Sequence, residues 1–509
     1  MSLRPDQWPV VIGVGECIQR GKHLPTAMEP LQLMETAVLE AQRDAGVEFM
    51  SHVDRLDVIQ QVSWPAADLP DRLAARLHLN PGYRRYWPIG GETPIAALHG
   101  AAQAVFAGES ACAVVVGGEA QYSVNAAAGQ PLPWSARDDA FPIVRGADHQ
   151  PASAVRLGLS NPAHIYPLFE NAAVADLGLT PAEAMQESAE LWARFSQVAA
   201  RHPAAWSQRA YSAAELSAVS PDNRAIAWPY AKRMVANPAV NQSAAMVVTS
   251  QAQALAWGID PSRLVYVLTG AAAHDPDNVM ARGDLARSPG RDAVLDAMQQ
   301  RMGDVSRCAA LELYSCFPVV PKLARRRLGL AADRPMTVAG GLSFFGAPLN
   351  NYMTHAVAAM VRQLRASQGD ARGILYGQGG YMTKHHAVAL GRVPGDVQTW
   401  LAPVSVQAQA DAARGPAPEW LDQYSGPAQV ETFTVLFERD GAVAQGVVVL
   451  RTQQSQRLVA KVERSDTASL SCLMSPQVSP VGVWGEVHNN SQGVPIWCAN
   501  PTSTQGAKP

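Results

Sequence analysis

The chain is poor in cysteine, in net charge and in long apolar runs, and each shortage closes off a class of protein. Its six cysteines, Cys17, Cys112, Cys308, Cys316, Cys472 and Cys498, are spread over 509 residues without a CxxC pair. That spacing makes neither a disulfide framework nor a structural zinc site. The formal net charge is −3. It gives no electrostatic reason to expect nucleic acid or an anionic membrane as a partner. No apolar run reaches the length of a membrane span, and the opening Met-Ser-Leu-Arg-Pro-Asp has no apolar signal core. The expectation is a reduced, cytoplasmic protein. No His and carboxylate cluster stands at ligand spacing, so no metal is expected. The glycine-rich turns carry neither the Walker lysine nor the dinucleotide fingerprint.

What is present is apolar residue in quantity, 48% of the chain, enough for more than one core. Val10–Val14, Arg55–Val62, Tyr83–Ile89 and Ala111–Gly118 read as strands, separated by helices over Pro30–Ala45, Ala67–Leu79 and from Pro94 to Ala107. The last helix is built of small residues, as suits one buried between two sheets. From Gln121 to Pro238 strands become few and helices and prolines frequent, which marks an excursion. Ala244–Ser250 returns to the buried-strand pattern. A second set with the same order of elements then runs from Arg263 to Gly391, which suggests internal duplication. Asp411–Pro418 reads as a linker. Val430–Phe437, Ala442–Leu450, Arg457–Val462 and Val481–Val487 read as strands of a small all-β domain, with a hairpin turn at Arg439-Asp440-Gly441. An OB-like barrel raises the question of oligonucleotide binding, but few aromatics alternate with Lys or Arg there, so nucleic acid is not expected.

The stretch Thr337-Val-Ala-Gly-Gly-Leu-Ser-Phe-Phe-Gly-Ala-Pro-Leu-Asn-Asn-Tyr352 reads as a buried strand, a glycine-rich turn and a helix capped by Asn350 or Asn351. It resembles the thiolase superfamily, where a turn of similar form carries Gly-His-Pro; here the place reads Gly346-Ala347-Pro348. Further segments fit. Ile95–Ala107 with the following strand looks like the helix and strand after a thiolase nucleophile. Leu311-Glu-Leu-Tyr-Ser-Cys-Phe317 looks like the His-Asp-Cys-Phe segment of sterol-carrier-type thiolases. Ile374–His386, with Gly379-Gly380-Tyr381-Met382-Thr383-Lys384-His385, occupies the place of the last catalytic loop. The pattern is similar to the thiolase-like protein type 1 group, often labelled acetyl-CoA acetyltransferase, whose members carry an extra C-terminal domain. The resemblance implies a duplicated five-layered α/β/α/β/α fold. Its halves are 1–120 with 240–262 and 263–395, with a loop domain at 121–239, a linker at 396–418 and an additional β domain at 419–509.

A thiolase needs a nucleophilic cysteine, a base for it and a second acid/base group. The resemblance places the nucleophile at Gly91, where there is no thiol, and the imidazole at Ala347. Cys316 matches an acid/base cysteine and stands at a strand-to-helix junction, where a thiol pKa can fall; the alternative is an inert buried thiol. Tyr314 replaces the motif's histidine, as an oxyanion donor or as a core tyrosine. Glu92 is a general base or a helix-terminal charge. His385 and His386 are candidates for the missing imidazole or ordinary histidines. Gly91, Gly346, Asn350, Gly379 and Gly380 are candidate substrate-binding positions; capping also explains Asn350. No cofactor is expected to bind tightly, and coenzyme A or an acyl-CoA is the expected substrate or ligand.

The expected function is acyl-CoA binding without a covalent acyl-enzyme. The chemistry left open is a retro-aldol type lyase reaction, and a non-catalytic CoA binder is the rival. Thiolases usually dimerise through the strand before the nucleophile loop. Here that strand carries Pro88, Arg84 and Arg85, which favours a monomer.

Overall fold

Two glycines decide how closely the first layers pack. Gly13 and Gly15 lie in β1 (Pro9–Ile18), and the helix Pro30–Ala45 rests on them. A Cβ at either would overlap the carbonyl oxygen of Ala41 or Ala37, so helix backbone and strand backbone touch directly. The computed structural model that shows this describes residues 7–21 and 23–500. β1 pairs antiparallel with β7 (Asn241–Ser250), and β7 with β4 (Cys112–Ala120). β4 is buried at every residue, as an apolar strand covered on both faces should be. β2 (Arg55–Ile59) lies parallel to β4, and β3 (Tyr83–Trp87) forms the edge.

The second half supplies β8 (Val265–His274), β11 (Lys384–Gly391), β10 (Arg372–Gly379) and β9 (Ala310–Leu313). β1 and β8 share a short register, Val10 opposite Tyr266 and Val11 opposite Val265, which joins both halves into one nine-stranded sheet. Helices Thr93–Ala107 and Tyr352–Ala366 touch strands of both halves, so they form the middle layer. Helix Pro30–Ala45 covers the outer face of the first half and helix Pro289–Met302 that of the second. The α/β/α/β/α order read from the sequence is therefore present.

The C-terminal region closes on itself. β12 (Gly426–Phe437), β13 (Val443–Thr452), β14 (Arg457–Val462), β16 (Pro495–Ala499) and β15 (Trp484–Asn489) follow one another around a barrel, and β12–β13 pairing closes it. Gly441, at φ 90°, makes the β12–β13 turn that Asp440-Gly441 announces. The excursion adds β5 (Ala225–Ala227) and β6 (Tyr230–Ala231) to the outside of β12 through Leu436 opposite Ala227.

Some local readings need correction. Thr337–Ala339 is not a strand. The buried Glu312 carboxylate accepts from Thr337 Oγ1 at 2.9 Å, Val338 N at 2.8 Å and Ala339 N at 3.3 Å, and so takes donors a ladder would use. Asn351 precedes helix Tyr352–Ala366 but makes no side-chain cap; its Nδ2 donates to the Gly117 carbonyl at 2.6 Å instead. The first part of the stretch read as linker is a helix, Gln407–Ala413, with Ala410 fully buried. Gln407 fixes it by pairing with both backbone groups of His274 at 2.7 and 2.9 Å. The helix Thr467–Leu473 and β16 carry no strong sequence signal and were not expected.

Candidate active site

Alternation along β10 sets the geometry. Successive side chains of a strand point to opposite faces, so Gly377 and Gly379 face the middle layer while Tyr376 and Gln378 face outward. The two glycines leave room for the start of helix Thr93–Ala107. A Cβ at Gly377 would stand 3.0 Å from Glu92 Cα, and one at Gly379 would overlap the Glu92 carboxylate. Gly90 flanks the same carboxylate on its other side. Glu92 Oε2 has no hydrogen-bond partner. Burial pushes the Glu92 carboxyl up to about 7, against the pull of the Lys384 ammonium. That is the operating range of a general base near neutrality. Its side chain accepts no capping hydrogen bond from its helix.

Gly91 is closed in. A Cβ there would overlap the Tyr314 hydroxyl and the Gln378 carbonyl. Tyr314 reaches this point from the end of β9, held by its backbone N–H to the Tyr376 carbonyl at 3.0 Å. Burial raises its phenol well above the usual range, and the neighbouring Cys316 and Glu92 groups add to this. It is the predicted residue that feels both sides of the site.

Cys316 lies on the outward side of β10. Its sulfur accepts from Gln378 Nε2 at 3.1 Å, and Gln378 Nε2 also donates to the Tyr166 hydroxyl at 2.7 Å. Burial pushes the thiol up to about 12, although hydrogen bonds from Tyr166, Gln378 and nearby backbone N–H groups oppose it. At neutral pH it is a protonated thiol, a proton donor and not a thiolate. Neither Gln378 nor Tyr166 was singled out from the sequence. Gln378 sits inside a quoted motif and strand alternation points it at Cys316; Tyr166 belongs to the excursion and nothing local marks it.

The two histidines go elsewhere, and to opposite faces. His385 Nδ1 pairs with the Tyr376 hydroxyl at 2.8 Å, while Nε2 meets Ser288 Oγ at 3.1 Å and Asp275 Oδ2 at 3.2 Å. Burial lowers its pKa despite Asp275. His386 Nε2 meets His99 Nδ1 at 3.0 Å in the middle layer, and burial lowers its pKa well below the usual value, with His99 beside it. Asn350 ties the site together: Gly90 N donates to its Oδ1 at 3.2 Å and its Nδ2 donates to the Gln60 carbonyl at 2.9 Å. Gly346, at φ 116°, packs against Gln242, and Gly380, at φ 62°, against Thr383. A cavity of about 350 Å³ adjoins this loop, lined among others by Ile89, Arg145, His149, Asp277, Thr383 and Lys384. A larger cleft of about 610 Å³, beside Glu16, Arg201, His202 and Arg362, holds none of the predicted site residues.

Residues 406–492 match the family model for the thiolase-like protein type 1 additional C-terminal domain. Among solved structures, the chain is similar to a monomeric SCP2-thiolase like protein type 1 from Mycobacterium smegmatis, at 27% identity over 98% of this chain and 100% of that one, with a TM-score of 0.82. An Ltp2-ChsH2(DUF35) aldolase matches at 19% identity and TM-score 0.56, over 76% of this chain and 98% of that chain. Acat5 thiolase from Ascaris suum in complex with coenzyme A matches at 16% and 0.54, over 76% and 100%. No curated protein matches. The fold and the layers around β10 are those of the thiolase superfamily. Within it, residues 406–492 carry the additional C-terminal domain of the thiolase-like proteins type 1, and the chain is similar over nearly its whole length to a solved member of that group.

Proposed function

We propose that this protein binds a coenzyme A thioester and acts on it without forming an acyl-enzyme. It is acetyl-CoA acetyltransferase-like in fold, with glycine where the family's nucleophilic cysteine stands. The observation that carries this reading is the filled space at Gly91: Tyr314 takes up the volume that an attacking side chain needs. Beside it Glu92 offers an unpartnered carboxylate oxygen at a pKa of about 7. In this reading Glu92 takes a proton from C2 of the substrate and returns one there, while Tyr314 donates to the thioester oxygen as negative charge gathers on it. For a retro-aldol reaction Glu92 takes the proton of the 3-hydroxyl, the bond between C2 and C3 breaks to release C3 as a carbonyl compound, and the enolate of the CoA thioester forms opposite Tyr314 and takes the proton at C2 from Glu92. The aldolase of similar fold is consistent with this, as is the CoA held by the Ascaris thiolase. The protein acts as a monomer, like its mycobacterial relative.

A non-catalytic acyl-CoA binder is the second reading. It is favoured by the placement of Glu92 and Cys316 on opposite faces of β10 and by the closed surroundings of His385 and His386. Calorimetric titration with CoA and several acyl-CoAs, followed by mass analysis of the mixture, separates the two. Binding with conversion supports the enzyme. Binding without conversion supports the binder. Absence of binding rejects both.

A further inference from the structure

The C-terminal barrel reaches the candidate site through a continuous set of buried and part-buried hydrogen bonds. Arg457, in β14, is fully buried. Its Nε donates to Glu431 Oε2 at 2.8 Å and its Nη2 to Glu431 Oε1. Its Nη1 leaves the barrel and donates to the Met280 carbonyl at 2.6 Å and to the Arg282 carbonyl. Arg451, also on Glu431, donates to the Gly283 carbonyl at 2.9 Å. The 280–283 segment is thus gripped from the barrel side. The side chain of Arg282 then points the other way. Its Nη2 donates to the Tyr381 carbonyl at 3.1 Å and to the Met382 carbonyl. Its Nε and Nη1 are buried without partners, and the guanidinium lies 5.0 Å from the Phe169 ring centre.

The segment that Arg282 holds is the one that frames Glu92. Met382 has φ 55° and Gly380 φ 62°. A non-glycine residue in that region persists only when its surroundings hold it there. On one side of this turn Gly379 abuts the Glu92 carboxylate, and on the other Lys384 donates to the Ile89 carbonyl at 3.0 Å.

We infer that the barrel is a positioning part of the candidate site: Arg457, seated on Glu431, fixes residues 280–283 so that Arg282 holds the Gly379–Lys384 turn against Glu92. This deepens the reading of the site given above, but its test needs no thioester, so the two can fail separately. In the full chain, Arg457→Met and Arg282→Lys are compared with the wild type. The readouts are hydrogen exchange of individual segments and the ionisation of Glu92 followed by difference infrared spectroscopy against Glu92→Gln. The expected result for both variants is at least ten-fold faster exchange across 379–384, with β9 unchanged, and a Glu92 titration moved down from about 7 as water enters. Faster exchange confined to β12 and β14, with 379–384 and the Glu92 titration unmoved, overturns the inference. Should Arg457→Met not fold, Arg282→Lys decides alone, because it leaves the barrel untouched: loosening at 379–384 supports the inference and an unchanged turn overturns it.

Discussion

Two regions of this protein bury a carboxylate and partner it differently. Near the end of β4, Glu119 accepts from Val62 N at 2.7 Å, from Ser63 N at 2.8 Å and from Ser63 Oγ. At the start of helix Thr93–Ala107, Glu92 leaves Oε2 without a partner. Burial pushes both carboxyls up to about 7. The shifted pKa therefore does not separate them. Partnering does: Glu119 is spent on holding residues 62–63 to the sheet, while Glu92 keeps a buried oxygen without a partner. A perturbed group marks a candidate site when its geometry leaves it something to do.

The largest effect should come from breaking the satisfied side. Glu119→Ala leaves several buried donors without an acceptor, and each costs about 1–3 kcal/mol. We expect a total loss of about 3–5 kcal/mol in urea unfolding. Glu92→Gln should do the opposite. The folded value of about 7 lies above the ordinary 4.5, so the fold favours the protonated carboxyl. Its contribution is fully present below pH 4.5 and is lost as pH rises through about 7. At about 1.36 kcal/mol per pH unit, up to about 3 kcal/mol disappears across that window. Glu92→Gln should be near wild type at pH 4 and more stable by about 1–3 kcal/mol at pH 8. A variant less stable than wild type at pH 8 would mean that Glu92 has partners after all.

Filling Gly91 is a step of similar size. Gly91→Cys should cost about 1–3 kcal/mol by overpacking against Tyr314. Adding Tyr314→Ala should recover part of that loss. Full stability of the single variant, read by thermal unfolding, would show that the site has room for a nucleophile. The smallest effect concerns thiol access. All six cysteines are free, and Cys17, Cys472 and Cys498 are half-buried while Cys112, Cys308 and Cys316 are buried. Mass-mapped alkylation at pH 8 should label the first group before Cys316, whose thiol stays protonated up to about 12. Early labelling of Cys316 would point to an activated thiolate.

Much of the fold could be read because its signals are local. Buried β4, the small-residue helix and the Asp440-Gly441 turn each declare themselves within a few residues. The additional β domain was legible from its strands, but β16 was not, since only its place in the closed barrel explains it. Thr337–Ala339 looked like a strand because its residues suit one. What prevents it is Glu312, a contact set by tertiary packing and invisible to local pattern. The site was legible in part. Tyr314, Gly91, Glu92, Gly379 and Asn350 meet at the end of β10, while His385 and His386 lie away from it. Consecutive residues of a strand must face opposite sides, so the pair could not both have entered one pocket. Gln378 was not singled out, although the same alternation points it at Cys316. Tyr166 and the Arg457–Arg282 connection cross between distant segments, and only the folded chain brings them together.

The account rests on Glu92 as a base that works without a covalent partner. The direct measurement is exchange of the C2 protons of an acyl-CoA for deuterium in D2O, followed by mass spectrometry of substrate and protein together. We predict deuterium uptake that rises with pH through about 7, falls at least a hundred-fold in Glu92→Gln, and leaves no acyl group on any cysteine. Uptake unchanged in Glu92→Gln, or an acyl group found on Cys316, would contradict it.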